Sequence, residues 1–599
     1  MRCTPAVPHS QFPQPRANLR RAWYVTFLTM ISAVIFGLDM GTFGIAHGLP
    51  SFLAHWCSEG GFQTGADSCT GPHAPKNAVW IHQFVIPSVL LNLAAASVAC
   101  MAITPAMLPR FGHRVTTNVS LGVVTAGCFL HTFVAAAIDP MHGGLALWFF
   151  GRFLLGLGIG LLFATMPQWN NELVTKEMRG QTGAILQVTN ILGVLIGGLV
   201  TLSAKSGSVS WEIPTSLTGF FAVAMLVPVN RIPDSPVWLL KCHLQQSAAG
   251  GGGGDLFEAA VSVLKTLRVW RGRDGEVSKY RRQLQESLAA WAGSVGRSDF
   301  RTNALGALDD EVWRRVFGGS GSASCADTAI LEIEATMHII DIRSSHPPAC
   351  HEFFTNEPRG LLHRTLVALF VGGIGQNLAG MIALNNISFQ LFTEVGMDKP
   401  FAHTAIFDCL QLAGAITGAL CLDGLKWGGR RRNLLVGSAI LTTCMIVVGS
   451  GLLRVQHMKN SGEPVPKSLQ KLNFAVLLLY AFVFHATWAA AWVYPAEISY
   501  ASERARIASF AMAAHFGGAT LVVGVIALLF AWSQAGTMFL FAVGNGISFL
   551  VVNKFVVETK DQTIGDIVAE FKRHSHGHRR SALAEDDAVE TGYVQMADR

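Results

Sequence analysis

Apolar runs of about twenty residues, the length that crosses a bilayer's hydrocarbon core as a helix, recur along this chain and constrain its fold more than any other feature. They are read at 22–47, 79–102, 116–138, 144–167, 181–204 and 211–230, and again at 362–391, 402–424, 433–453, 473–495, 507–531 and 535–556. Lipid offers no partner to a backbone N–H or C=O, so each run must satisfy its own groups as a helix. Composition agrees. Only 14% of the 599 residues are charged and the mean hydropathy is +0.38, whereas a soluble chain carries about a quarter charged residues. The expected fold is an all-α polytopic membrane protein with twelve transmembrane helices in two six-helix bundles.

The runs divide the chain into a tail (1–21), a first bundle (22–230), an enlarged loop (231–361), a second bundle (362–556) and a second tail (557–599). Basic residues in short connections set orientation. Arg16, Arg20 and Arg21, then Arg110 and Arg114, Lys176 and Arg179, Lys426 and Arg430–Arg432, Arg504 and Arg506, and Lys572 and Arg573 fall on one side. That side is expected to be cytoplasmic, with both tails and the loop. The Pro-rich lead before Ala22 and Asp39 within the first run do not read as a cleavable signal peptide. Glycines within the runs (Gly156, Gly158, Gly160; Gly193, Gly197, Gly198; Gly372, Gly373, Gly375) suit close helix packing.

The net charge of +6 follows from this topology and needs no nucleic-acid partner. No metal-ligand spacing appears, no cofactor is implied, and "HSHGH" at 574–578 is at most a weak metal tract. Cys57 and Cys69 share the first outer loop, whose oxidising side permits a disulfide. The insert at 241–358 holds a glycine-rich stretch (248–254), a helix-compatible patch (284–292), a second linker (318–324) and an amphipathic segment (326–345). It reads as a partly disordered connector with a few helices on the inner membrane face.

The two halves repeat each other. "RFGHR" (110–114) joins runs two and three, and "GGRRR" (428–432) joins runs eight and nine. After run four comes Glu172 with Arg179 seven residues on; after run ten comes Glu497 with Arg504 seven residues on. Pseudo-symmetric halves with matching inner-face charges point to a transporter with a site between its bundles. Glu172, Arg179, Glu497 and Arg504, with Arg110, Arg430 and Arg431, are expected to gate its cytoplasmic side by pairing when the outside is open and separating when the inside opens. Snorkelling and topology signals are the plainer alternative.

Five motifs in order resemble the sugar porters of the major facilitator superfamily, over about 22–572. They are "FGLDMGTFG" (36–44), "GRFLLGLGIG" to "PQWNNELVTKEMRG" (151–180), "PDSPVWLL" (233–240), "WVYPAEI" (492–498) and "VVETKDQT" (556–563). The resemblance implies the major facilitator fold, two pseudo-symmetric bundles, and alternating-access transport of a sugar or polyol. It places Gln187, Gln376, Asn377, Asn386, His515 and Phe516 in the pocket. Trp488, one residue off the family's tenth-span tryptophan, is the further residue expected in the pocket. Amides donate to and accept from hydroxyls, and aromatic faces pack on a sugar ring. The sequence departs from the family pattern at Pro109, His113, Trp169, Thr175, Asn377, Ile382, Asn385, Asn386, His515, Phe516 and Lys426, with Asp423 one turn before that lysine.

An isolated intramembrane charge is costly, so Asp39 in run one and Arg152 near the outer end of run four each need a partner or water. In related proton symporters an aspartate and an arginine at these positions pair, which implies proton coupling here; a static ion pair is the plainer reading. Asp408 and Gln411 in run eight are further intramembrane polar groups without a family role. The expected activity is secondary transport of a sugar or polyol by proton symport, not catalysis, with protons and lipid as the other partners. The expected setting is the plasma membrane, with a monomer as the plausible unit. Alternatives are a same-fold porter for another polar small molecule, or a non-transporting sugar sensor that signals through its insert. No phosphate-binding glycine loop is present to support an ATPase.

Overall fold

The computed structural model describes residues 16–62, 69, 78–175, 178–204, 210–248, 254–269, 353–354, 361–394, 400–424, 428–499, 503–560, 562 and 566–571. Residues 249–253 of the glycine-rich stretch, the segments 284–292, 318–324, 326–345 and 574–578, and Lys426 lie outside the described residues.

Among the described residues, ten helical stretches are long and apolar enough to cross a membrane. One of them, Ile81–Val134, contains Gly112 at φ 75°, ψ 176°, which is not helical and divides it into two spans. A side chain there would also strike the Trp238 ring, so only glycine fits this turn. A further span is built from shorter helices, because Gly380, at φ 89°, interrupts it. The spans are α1 (Leu19–Ala46), α2 (81–111), α3 (113–134), α4 (Gly144–Leu173), α5 (Arg179–Ala204), α6 (Glu212–Val229), α7 (361–394), α8 (Pro400–Gly424), α9 (Arg430–Asn460), α10 (Lys467–Glu497), α11 (Arg504–Trp532) and α12 (Gln534–Phe555).

Several helices outrun their apolar cores. α4 continues through Pro167 to Leu173, and α9 reaches Asn460. Hydropathy falls where lipid ends, but a helix satisfies its backbone equally well in the headgroup layer. The spaced glycines sit at helix crossings: a Cβ on Gly156 or Gly160 would meet the α2 backbone, on Gly193 the α1 backbone, and on Gly373 the α11 backbone. Close approach of this kind replaces the hydrophobic drive that lipid cannot supply.

Two apolar cores follow the two bundles. One includes Leu121, Ile159 and Phe163, the other Val371, Tyr480 and Tyr494. A third cluster covers the opposite end of the first bundle from its basic connections, where Trp56, Trp80, Phe84, Trp148 and Trp211 gather around Phe52, several of them edge to face with it. Cys57 and Cys69 are joined there as a disulfide. At the end of the bundle that carries the basic connections, helices Pro236–Ala248 and Gly254–Leu267 pack through Leu240, Leu244, Phe257 and Leu264. Residues 16–17 and 268–269 form a two-residue antiparallel pair.

Candidate functional site

α1 and α4 bring Asp39 and Arg152 together. The Arg152 guanidinium donates through Nη1 to Oδ1 of Asp39 and through Nη2 to Oδ2 at 3.3 Å. Asn92 of α2 donates to the same Oδ2 at 2.8 Å. Arg152 also reaches the Ser88 carbonyl at 3.4 Å and lies 4.6 Å from the centre of the Phe43 ring. Both charged residues are buried, at 6% and 2% exposure. Such a pair persists in low dielectric only with this degree of hydrogen bonding. The pair opens onto a cavity lined by Phe36, Met40, Phe43 and Asn92 from the first bundle and by Asn386 of α7 from the second. Charge and carboxamide therefore meet at the boundary between bundles.

Beside this cavity the boundary is aromatic. Phe36 (α1), Phe163 (α4) and Phe516 (α11) are mutually edge-on, at centroid distances of 5.3, 5.5 and 5.8 Å. Trp492 of α10 lies 5.9 Å from Phe163 and 5.1 Å from His515. Gln187 of α5 crosses to the second bundle: its Nε2 is 2.6 Å from Nδ1 of His485, and its Oε1 accepts from the Trp492 indole. A sugar-sized ring packed on aromatics with amides at its edge is the arrangement such side chains favour.

The other amides point elsewhere in this conformation. Gln376 donates to the Gly372 carbonyl within α7 (3.1 Å), and Asn386 to that of Ile382 (2.8 Å). Asn377 donates to the Gly373 and His515 carbonyls, and its Oδ1 has no hydrogen-bond partner among the described residues. Trp488 is buried in the second bundle against Phe484, away from Gln187, with its indole N–H unpartnered among the described residues. The tryptophan that meets Gln187 is Trp492, four residues on.

The end of the bundles that carries the basic connections keeps its twofold pattern. Arg179 donates from Nε to the carbonyl of Asn171 at 3.1 Å, and Arg504 likewise to that of Ala496 at 3.2 Å, each eight residues back. Each arginine thus caps the C-terminal end of the preceding span, where a cation suits the helix dipole. Glu172 accepts from Ser235 and lies 3.7 Å from His113. Glu497 accepts from Arg430 at 2.6 and 3.0 Å and from Thr559 at 2.6 Å. Both acids are thus held within their own bundles, while Arg179 is near enough to feel Glu497 and Arg504 across the boundary. Arg431 donates to Asn553, and Arg110 is exposed. The bundles also meet here through Gln168, which donates to Ala505 and Ser509.

Four contributions escape the sequence reading. Asn92, His485 and Trp492 complete the central groups, and Arg364 with Glu503 forms a buried ion pair at 2.7 Å under the second bundle. Asn92 and His485 lie within apolar runs, and that alone marks an intramembrane polar residue as a candidate. Trp492 stands inside a motif already singled out.

Comparison with known proteins adds the following. A family model described as "Sugar (and other) transporter" matches residues 25–303 and 315–571. The major facilitator-type transporter ecdD of Aspergillus rugulosus is 23% identical over 513 residues, covering 84% of this chain and 78% of that one. The low-affinity glucose transporter HXT3 of Saccharomyces cerevisiae is 22% identical, covering 76% and 73%. The high glucose sensor RGT2 of the same yeast is 23% identical, covering 79% of this chain and 52% of the sensor. Among solved structures, the proton:xylose symporter XylE shares the fold, with a TM-score of 0.64 at 16% identity over 92% of this chain and all of that one.

Proposed function

Because the chain belongs to the sugar (and other) transporter family, as an integral multi-pass membrane protein of the major facilitator fold, we propose that it moves a hexose-like sugar or a polyol by proton symport. The observation that carries this reading is the buried Asp39–Arg152 pair beside the cavity that Asn386 completes from the other bundle. With Asp39 ionised, Arg152 and Asn92 satisfy it. Protonation removes the charge that holds Arg152, which keeps the Ser88 carbonyl and the Phe43 ring as partners. Proton binding and bundle movement then share one set of contacts, which is what coupling requires.

Gln187 and Gln376 recognise hydroxyls from opposite bundles in this scheme, with Asn377, Asn386, His515 and Phe516 around them and Trp492 supplying the aromatic face. When the bundles part, Gln187 leaves His485 and Trp492, and substrate hydroxyls take their place. On the inner side, Arg179 and Arg504 work against Glu172 and Glu497 as the gate. Both tails and the 231–361 loop face the cytoplasm, and the protein works in the plasma membrane.

The test is uptake of labelled hexoses, pentoses and polyols by cells lacking their own porters, with and without an imposed inward proton gradient. Gradient-driven accumulation of at least one of them is expected. Ligand-dependent signalling without net uptake would make the protein a sensor, the role named for its relative RGT2, and would end the transport reading.

A further inference from the structure

A second carboxyl lies deep between the helices, remote from Asp39 in sequence and unused in the scheme above. Asp408 of α8 is buried at 6% exposure, and among the described residues it has no ion-pair partner. It is the polar member of a cavity at the bundle boundary whose other walls are Ile45 of α1, Leu195, Gly198, Leu199 and Leu202 of α5, and Ala405. One carboxylate oxygen, Oδ2, faces Gly198 there. The other, Oδ1, accepts from Gln411 Nε2 at 2.9 Å.

From Gln411 a hydrogen-bonded chain runs to the proposed substrate site. Its Nε2 also donates to Asn385 at 3.1 Å, and its Oε1 lies 2.9 Å from His485 Nε2. His485 Nδ1 in turn lies 2.6 Å from Gln187 Nε2, and Gln187 Oε1 accepts from Trp492. A carbonyl oxygen can only accept, so His485 Nε2 carries a proton. An amide nitrogen can only donate, so Nδ1 is the acceptor. The imidazole is therefore neutral, and every donor along the chain points the same way: Trp492 to Gln187, Gln187 to His485, His485 to Gln411, Gln411 to Asp408. Aligned donors that end on a carboxylate polarise one another and stabilise its charge. They suit an ionised Asp408.

We infer that Asp408 is a second proton-binding site, set in the second bundle and wired to Gln187 through Gln411 and His485. An unpaired carboxylate in this setting is costly, and only the polarised chain and the cavity offset that cost. When Asp408 takes a proton, its pull on Gln411 weakens. The change passes through His485 to the Gln187 contact, which bridges the two bundles. Protonation at Asp408 thus loosens a contact that must break for the bundles to part.

Few other titratable groups face this carboxyl among the described residues. α10 presents His485; α5 and α1 present Gly198, Leu195, Leu199 and Ile45; α7 presents Asn385. On α8 itself the nearest are His403, edge-on to Phe474, and Cys409. The inference that protonation acts on substrate handling rests on the transport reading; the protonation itself does not.

The test separates the two. Infrared difference spectra of the purified full-length protein between about pH 5 and about pH 8 need no substrate. In an Asp39→Asn background, which removes the other carboxyl proposed to take a proton, the C=O band of a buried protonated carboxyl is expected to grow on acidification and to vanish when Asp408→Asn is added. A titrating carboxyl band that Asp408→Asn leaves unchanged in that background, or no such band there, overturns the site. Gln411→Leu cuts the chain while keeping the carboxyl. In counterflow at equal pH on both sides, with Asp39→Asn as the background so that the first proton site is silent, the half-saturation is expected to change about fivefold over this range, the effect of one hydrogen bond. With Gln411→Leu added it should stay flat. Persistence of the background's pH response after that addition overturns the wiring, even where the carboxyl band is assigned to Asp408.

Discussion

Asp39→Asn separates coupling from binding, and the structure sets the size of its effect. The variant keeps a group that can accept from Asn92 but loses the charge that receives two bonds from Arg152. Removing one partner of a buried ion pair costs about 3–5 kcal/mol, because the survivor is left uncompensated. Arg152 retains the Ser88 carbonyl and the Phe43 ring, so the cost should fall at the lower end, about 3 kcal/mol. Combining Arg152→Met with Asp39→Asn removes the stranded charge, and the double variant should melt higher than the single one in detergent. For transport, one proton per sugar and a one-unit pH gradient support at most about tenfold accumulation, since about 1.4 kcal/mol is a factor of ten. Asp39→Asn should collapse that ratio to about one while counterflow without a gradient persists. Both are measured in the same vesicles. Accumulation near the wild-type ratio by the asparagine variant would refute the coupling argument for Asp39 and leave coupling through another group.

Three further outcomes follow from the geometry. Gln187→Ala leaves a substrate hydroxyl in the proposed site without the amide that receives it; an unpaired buried group costs about 1–3 kcal/mol, so half-saturation in counterflow should rise about five- to a hundredfold, and an unchanged value would remove Gln187 from the pocket. Arg364→Met leaves Glu503 buried without its guanidinium, a loss of about 3–5 kcal/mol that should appear as a sharp fall in thermal stability and surface level, with recovery in a double variant that also carries Glu503→Leu; no fall in the single variant would deny the pair a structural role. Single cysteines placed near positions 10, 300 and 590 in an otherwise cysteine-free chain should resist a membrane-impermeant thiol reagent on intact cells and react after permeabilisation, and labelling of any one on intact cells would overturn the orientation.

Legibility in the sequence tracked how local each signal was. The spans could be read because lipid imposes one rule on every residue of a run, and a composition rule needs no knowledge of neighbours. The seventh span shows what that rule misses: Gly380 breaks its helix at φ 89°, and a side chain there would strike the Phe541 ring of α12, far along the chain. The twofold spacing of Glu172–Arg179 and Glu497–Arg504 was visible, yet not what the carboxylates touch. Ser235 and Thr559 supply those contacts from distant connections, so the pairing across the bundles that the spacing suggested competes with pairing inside each one. Trp488 and Trp492 differ by about one helical turn, and only the neighbouring helices decide which of them faces the bundle boundary. The Asp408 chain is the extreme case. Its members come from α5, α8 and α10, none is unusual except as a polar residue among apolar ones, and its direction depends on which atom of each amide faces the next. A sequence can nominate such residues one at a time because burying them is costly; that they form one line, with its donors aimed at a single carboxylate, is a property of the packing alone.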